Sequence, residues 1–306
     1  MDPLSDILGL LKTRSILSAR MEAAGSWAMR FAKYDHVTFG CIIEGTRWLW
    51  TDDTAEPLRL EAGDFFLLTN GRPYYIASDL MAPVDDAERI FADCIANNGV
   101  VRYGHGAVRT AGAGGRFRFD DDMSSLLLCL LPPVIRVPAG APQARPLRSA
   151  LDIISFEAAT PQPGAGAVAC NLAGIVLVNF LRAYVGSEAK PTGWLGALSD
   201  ARIGRALGLM HADVAKRWKV EDLASEVGMS RSSFSEYFKR LVGTPPLEYL
   251  IRWRISVARD ALAWREDTLS QIADLVGYES EAAFSFAFKR LVGLSPGQYR
   301  DLRRCH

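Results

Sequence analysis

The stretch Phe238-Lys-Arg-Leu-Val-Gly243 recurs letter for letter as Phe288-Lys-Arg-Leu-Val-Gly293. Each copy closes a longer unit. The first reads Leu223-Ala-Ser-Glu-Val-Gly-Met-Ser-Arg-Ser-Ser-Phe-Ser-Glu-Tyr-Phe-Lys-Arg-Leu-Val-Gly243, then Thr244-Pro245-Pro246 and Tyr249. The second reads Ile272-Ala-Asp-Leu-Val-Gly-Tyr-Glu-Ser-Glu-Ala-Ala-Phe-Ser-Phe-Ala-Phe-Lys-Arg-Leu-Val-Gly293, then Leu294-Ser295-Pro296 and Tyr299. The offset is 49 residues at Gly228/Gly277 and 50 from Phe234/Phe284 onward, so the second copy has one extra residue in its turn. This is a duplicated unit of helix, glycine turn and helix.

Within each unit the pattern predicts a first helix over 220–227 or 269–276 and a second over 231–242 or 281–292. Leu223, Val227, Phe234, Phe238 and Leu241 fall at spacings that bury one face; Ile272, Val276, Phe284, Phe288 and Leu291 repeat them. The opposite faces are slim and polar: Arg231, Ser232, Ser235, Glu236 and Lys239 in one, Glu281, Ala282, Ser285, Phe286 and Lys289 in the other. Such a helix fits a major groove about 12 Å wide. The Lys239-Arg240 and Lys289-Arg290 pairs suit phosphates, which supply register and salt-dependent affinity. Between the units, residues 247–263 carry Leu250, Ile251, Ile255, Ala258, Ala261 and Leu262 at helical spacing. A helix of that length is about 25 Å long, a rod suited to holding two reading helices in successive grooves about 34 Å apart. Paired helix-turn-helix units also serve as plain packing modules, and Lys-Arg at a helix end complements the helix dipole unaided. Two units in tandem on one rod favour the DNA-reading alternative.

Residues 200–304 resemble the DNA-binding domain of the AraC/XylS family of bacterial transcription regulators. The resemblance rests on Leu223-Ala224, Gly228-Met-Ser230, Phe234, Phe238-Lys239, Gly243-x-x-Pro246, Tyr249-Leu250 and Arg254. It continues with Ile272-Ala273, Gly277-Tyr278, Phe284, Phe288-Lys289, Gly293-x-Ser-Pro296 and Tyr299-Arg300. It implies that exposed positions of both second helices face bases: Ser232, Ser235 and Glu236 in the first, Glu281, Ala282, Ser285 and Phe286 in the second. Phe286 departs from related sequences, which often carry Arg there. A Phe lacks the bidentate guanine contact; it is left to touch a thymine methyl or to pack on the partner domain. The first helix is therefore expected to dominate specificity.

Composition bounds the rest. With 306 residues there is room for about two domains. A hydrophobic share of 49% with 23% charge excludes a disordered chain. The net charge is zero overall, at +3 for 200–306 and −3 for 1–199, an asymmetry that permits nucleic-acid binding without requiring it. Cys41, Cys94, Cys129, Cys170 and Cys305 are odd in number and lack C-x-x-C spacing, which argues for reduced thiols in a cytoplasm, one of them a candidate redox sensor. The opening Met1-Asp-Pro-Leu-Ser-Asp has no signal-peptide pattern, and Asp2-Pro3 reads as the start of a short helix. Residues 168–185 have the length of a membrane span. Asn171, Asn179 and Arg182 interrupt them, so the expectation is a buried helix, a subunit interface or an interdomain contact, and no membrane.

From Trp27 to Ile76 short aromatic and β-branched runs (37–43, 46–50 and 65–69) alternate with the turn signals Glu44-Gly45, Thr51-Asp52-Asp53, Ala62-Gly63-Asp64 and Asn70-Gly71. That predicts a compact antiparallel sheet or small barrel. Residues 79–116 read as a glycine-rich excursion with about two more strands. Helices over 147–159 and 168–185 follow, split by Thr160-Pro-Gln-Pro-Gly164, and 186–193 has linker chemistry. Asp120-Asp-Asp122 reads as a solvated turn. Residues 2–185 resemble, less specifically, the cupin-like sensory domain fused to many members of the same family, through Asp2–Asp6, Ile43-Glu-Gly45, Trp48, Ala62-Gly-Asp64, Phe66-Leu-Leu68 and Leu131-Pro-Pro133.

The expected class is thus α+β: a cupin-like domain over 1–185, a linker over 186–199 and a double helix-turn-helix domain over 200–306. Catalytic cupins hold a metal with clustered His and Glu. Only His36, His105, His211 and His306 are present, and Tyr74 stands where related domains often show His, so no metal, cofactor or catalytic residue is expected. The aromatics Trp27, Phe39, Trp48, Trp50, Phe66 and Tyr74 are candidates for holding a small apolar or aromatic effector, against the plainer reading that they are core. The function implied is a cytoplasmic, sequence-specific regulator, an activator as is commonest in the family. Its partners are double-stranded DNA, RNA polymerase, a small effector and a second copy of the chain. The alternative is a metal-dependent cupin enzyme with an accessory helical domain.

Overall fold

Strands in which every second residue turns inward dominate the first part of the chain, and amphipathic helices the last. The computed structural model describes residues 3–10, 13–34, 36–54, 56–69, 71–92, 100–119, 131–160, 162–186 and 193–304. Asp2, Asp120-Asp-Asp122, Cys94, Cys129, Cys305, His306 and residues 187–192 of the expected linker lie outside these residues. Contacts divide the chain into two units, Leu11–Ala189 and a helical unit of Met1–Leu10 with Lys190–His306.

The first helix, α1 (Pro3–Leu10), therefore packs with the helical unit rather than with the sheets, contrary to the expected 1–185 boundary. The sheet unit comprises β1 (Thr13–Ala24), β2 (Ala28–Phe31), β3 (Val37–Glu44), β4 (Thr46–Thr51), β5 (Leu58–Glu61), β6 (Phe65–Leu68), β7 (Tyr74–Ala77), β8 (Val84–Asp86), α2 (Ala87–Phe91), β9 (Val100–Gly104), β10 (Arg109–Phe119), β11 (Val134–Val137), α3 (Ala144–Ala159) and α4 (Ala165–Val185). These strands form two open sheets, ordered β11-β6-β3-β10-β1-β9 and β5-β4-β7-β2-β8. Pairings are antiparallel except β1 with β9 and β2 with β8. Met21, Trp27, Met29, Ile42, Leu49, Phe66, Leu68, Tyr74 and Ile76, drawn from both sheets, make one buried core.

One long strand escaped the sequence reading, and a second was anticipated only as one of about two strands within the glycine-rich excursion over 79–116. β1 has no aromatic run to mark it, and β10 is glycine-rich where glycine ordinarily weakens a strand. In β10 the glycine is required: a Cβ on Gly114 would stand 2.4 Å from the Phe39 carbonyl oxygen across the β3 pairing. The apolar segment that passes for a membrane span by length and composition is α4. Its Leu172, Ala173, Val176, Leu177, Phe180 and Leu181 are buried, and it packs against α3, β1 and β11.

Asp64 explains why an Ala-Gly-Asp turn precedes β6. Its side chain is almost fully buried; one oxygen accepts from Arg136 Nη2 (2.7 Å), Arg136 Nε (3.0 Å) and the Glu61 amide (3.1 Å). The other accepts from the Ala139 amide at 3.0 Å. One carboxylate thus ties the turn before β6 to β11 and the approach to α3.

The helical unit continues with α5 (Gly193–Ser199), inside the expected linker, then α6 (Ala201–Ala212), α7 (Val220–Glu226), α8 (Arg231–Val242), α9 (Pro246–Trp264), α10 (Leu269–Leu275), α11 (Glu281–Val292) and α12 (Pro296–Arg304). α1 packs on α6 and α9 around a buried imidazole. His211 on α6 meets the Tyr249 hydroxyl through Nε2 at 2.7 Å and stacks on the Trp253 ring at 3.9 Å. An Asp6 carboxylate oxygen lies 3.4 Å from its Nδ1. That oxygen favours the imidazolium, but burial outweighs it and holds the His211 pKa down at about 4.

Two outcomes are expected. Asp64→Ala orphans the inward face of Arg136 and two amides, so denaturant titration should show a loss of about 3 kcal/mol. A loss below about 1 kcal/mol would refute this role. For His211, a folded-state pKa below the unfolded value of about 6.5 means that its contribution is complete above that pH and is lost as pH falls towards 4. Urea unfolding at successive pH values should show His211→Gln removing a slope of at most about 1.4 kcal/mol per pH unit in that window. Parallel pH profiles for the two proteins would contradict it.

Candidate nucleic-acid interface

The two second helices are built alike. α8 starts at Ser230, whose hydroxyl accepts from the Ser233 amide at 3.3 Å. α11 starts at Ser280, which caps Ala283 at 3.2 Å. Each ends on a left-handed glycine, Gly243 or Gly293, whose amide returns to the carbonyl of Lys239 or Lys289. The backs are Phe234, Phe238 and Val242 in α8, and Phe284, Ala287 and Phe288 in α11. Leu241 and Leu291, expected on those backs, are not buried, and Leu291 is 42% exposed. A step of four from Phe238 and Phe288 brings the adjacent valine inward instead.

The turns place the second helices. Gly277 has φ +76, and a Cβ there would stand 2.2 Å from the Ala215 carbonyl oxygen, so only glycine fits between α10 and α11. Two arginines clamp the loops entering the first helices. Arg254 donates to Val214 (2.9 Å) and Lys216 (2.8 Å) carbonyls ahead of α7. Arg300 donates to the Asp267 carbonyl (2.6 Å) ahead of α10. The family resemblance covered both arginines without giving either a role. The linking helix α9 runs over 19 residues, about 28 Å.

The fronts are open. Arg231, Ser232, Glu236, Lys239 and Arg240 are exposed along α8, with Ser235 half-buried. Glu281, Ala282, Phe286, Lys289 and Arg290 are exposed along α11, with Ser285 half-buried. All twelve sequence candidates thus lie on the two helices they were assigned to. Arg231 pairs with Glu221 at 3.0 Å, an exposed and weak bridge, and Arg240 lies 4.9 Å from the Tyr237 ring.

The six aromatic candidates of the sheet unit do not converge. Trp27, Phe66 and Tyr74 share the inner core. Phe39 contacts Phe117, in register with Leu67 on the other face of its sheet. Trp48 and Trp50 alternate with the inward-facing Arg47, Leu49 and Thr51, and Trp50 stacks on Tyr75. Sequence reasoning missed Arg47. It is buried, donates to the Met21 carbonyl at 3.2 Å and lies 5.2 Å from the Trp27 ring. Burial pulls its pKa down to about 10. The Cys41 thiol beside it is pushed up to about 11 by burial, the opposite of a reactive thiolate. Among the described residues no three His, Cys, Asp or Glu gather as a metal site requires.

Comparison with known proteins supplies the class. A cupin model matches residues 2–186 and a helix-turn-helix domain model matches 223–302. An AraC-like transcription regulator of Streptomyces antibioticus is 43% identical over 304 residues, 98% of each chain. The transcriptional regulator AlkR of Acinetobacter baylyi is 30% identical over 309 residues, 98% of this chain and 99% of that one. Among solved structures, the DNA-binding domain of AdpA in complex with a target DNA is 30% identical, covers 33% of this chain and 91% of that one, and has a TM-score of 0.32.

Proposed function

The chain belongs to the AraC family of DNA-binding transcription regulators, and we propose that α8 and α11 are its two base-reading helices. The family's role is regulation, which sets aside the metal-enzyme alternative. The observation that carries the assignment of the two helices is their matched construction. Each has a phenylalanine back, a serine cap and an exposed front ending in Lys-Arg. Lys239, Arg240, Lys289 and Arg290 take phosphates; Arg231, Ser232, Ser235 and Glu236, with Glu281, Ala282, Ser285 and Phe286, face base edges.

In this reading residues 11–189 sense a small effector in the cytoplasm, and its binding changes how the helical unit engages a promoter and RNA polymerase, with activation as the outcome. An effector acts only through unequal affinity for the two states. Arg47 beside Trp27 supports a polar anchor in an otherwise apolar interior, as small-molecule sites usually have. A homodimer is supported by Ile153 and Phe156 on α3 and Ile175 on α4, apolar side chains left exposed on neighbouring helices.

The test uses the full chain and duplexes it enriches from a random pool. Lys239→Ala and Lys289→Ala should each weaken binding by a similar factor on every sequence and lower the salt slope by about one. Ser232→Ala and Glu236→Ala should instead change which sequences are preferred. Lysine variants that shift preference while leaving the salt slope intact would reverse these assignments.

A further inference from the structure

We infer that Phe286 is a specificity residue that reads the 5-methyl group of thymine, so that α11 recognises its half of the site by apolar contact. The inference rests on the assignment of α11 as a reading helix.

Phe286 is the sixth residue of α11 and lies two residues from each of Phe284 and Phe288. Two residues turn a helix by about 200°, so the ring points away from the core that those two phenylalanines fill. It is 73% exposed. It has no aromatic or cation–π partner among the described residues. Its neighbours one turn back are Ala282 and Ala283, both exposed. Side chains lean towards the helix N-terminus, so the ring lies over two methyl groups, which shield little of it. Lys289 and Arg290 stand one turn on, both exposed. The front of α11 is therefore an apolar strip, Ala282 and Phe286, leading into a basic end.

The duplicated unit shows what this position otherwise holds. Phe286 corresponds to Glu236 in α8, while Ser285 corresponds to Ser235 and the buried phenylalanines are the same. A carboxylate at that point accepts from the cytosine amino group; a phenyl ring accepts and donates nothing there. The apolar group the major groove offers is the thymine methyl, and alanine and phenylalanine are side chains that contact it. The adjoining Lys289-Arg290 pair suits the phosphates beside such a groove better than a protein surface. The two helices then divide the reading: hydrogen bonds from Ser232, Ser235 and Glu236 on one side, methyl contact from Ala282 and Phe286 on the other.

The experiment uses the full chain and the duplex sequence it enriches most from a random pool. Each thymine is replaced singly by deoxyuridine, which removes the methyl and keeps the base pair. At one or two thymines wild type should lose roughly three- to fivefold in affinity, and Phe286→Ala should bind the thymine and uracil forms equally. Phe286→Leu, which keeps an apolar contact, should retain part of the difference. An exposed ring contributes little to folding, so unchanged thermal unfolding of the variants is the control. If the pool converges but no uracil position separates wild type from Phe286→Ala, the methyl contact is wrong while the DNA-reading assignment stands. If Phe286→Ala keeps full affinity and preference, the ring serves a protein partner and the inference falls. If wild type enriches no sequence, the assignment of α11 falls with it.

Discussion

A pair of phenylalanines four residues apart holds the second helix of each helix-turn-helix unit in place. Phe234 with Phe238, and Phe284 with Phe288, turn one side of a short helix into a fixed anchor, their rings tilted against each other at 5.6 Å in both copies. A helix of 12 residues is marginal alone in water. Its position is set by what its back is packed into, and the freedom of its front follows. The front residues can be polar, small or exposed because the buried packing comes from the backs. That separation lets the two copies keep identical Phe-Lys-Arg-Leu-Val-Gly ends while their fronts diverge.

The anchors would be useless without control of the entering loops. Arg254 and Arg300 perform it by donating to backbone carbonyls, so the loops ahead of α7 and α10 are fixed from inside the unit. Gly277 completes the second turn under the Ala215 carbonyl. The long helix α9 links both halves through one continuous backbone, with Leu250 and Trp253 buried near one end and Ala258 and Leu262 near the other. Docking of α1 on α6 and α9 adds a segment from the opposite end of the sequence to the same body, around the neutral His211.

The helical unit was readable because its signals are local and duplicated. Caps, glycine turns and 3.6-residue spacing state the helices outright, and a repeat states them twice. The one repeated error, Leu241 and Leu291 in place of the neighbouring valines, comes from choosing between steps of three and four at a helix end, which periodicity leaves open. The sheet unit was less readable because its signals are distant. β10 gives no strand pattern on its own; its glycines make sense only beside β3, which lies far back in the chain. Asp64 was visible as part of a turn, but its bond to Arg136 spans 72 positions. Of the aromatic candidates, Trp27, Phe39, Phe66 and Tyr74 are buried, while alternation sends Trp48 and Trp50 to the face opposite Leu49. The place of α1 was unreadable, since Asp6 and His211 come from opposite ends of the sequence and meet only within the folded helical unit.

The chain as a whole has no net charge, so long-range attraction does little to bring it to DNA. Affinity must come from where the basic groups stand. Both Lys-Arg pairs sit near the ends of α8 and α11, whose fronts carry carboxylates at Glu236 and Glu281. An acidic side chain next to phosphates is unfavourable unless a base edge offers it a donor. On the proposed DNA face, those two residues would lower binding to non-matching sequence while allowing binding to a matching one. In the proposed reading, a neutral protein with acidic fronts gives up general affinity for nucleic acid, and what remains depends on the bases it meets.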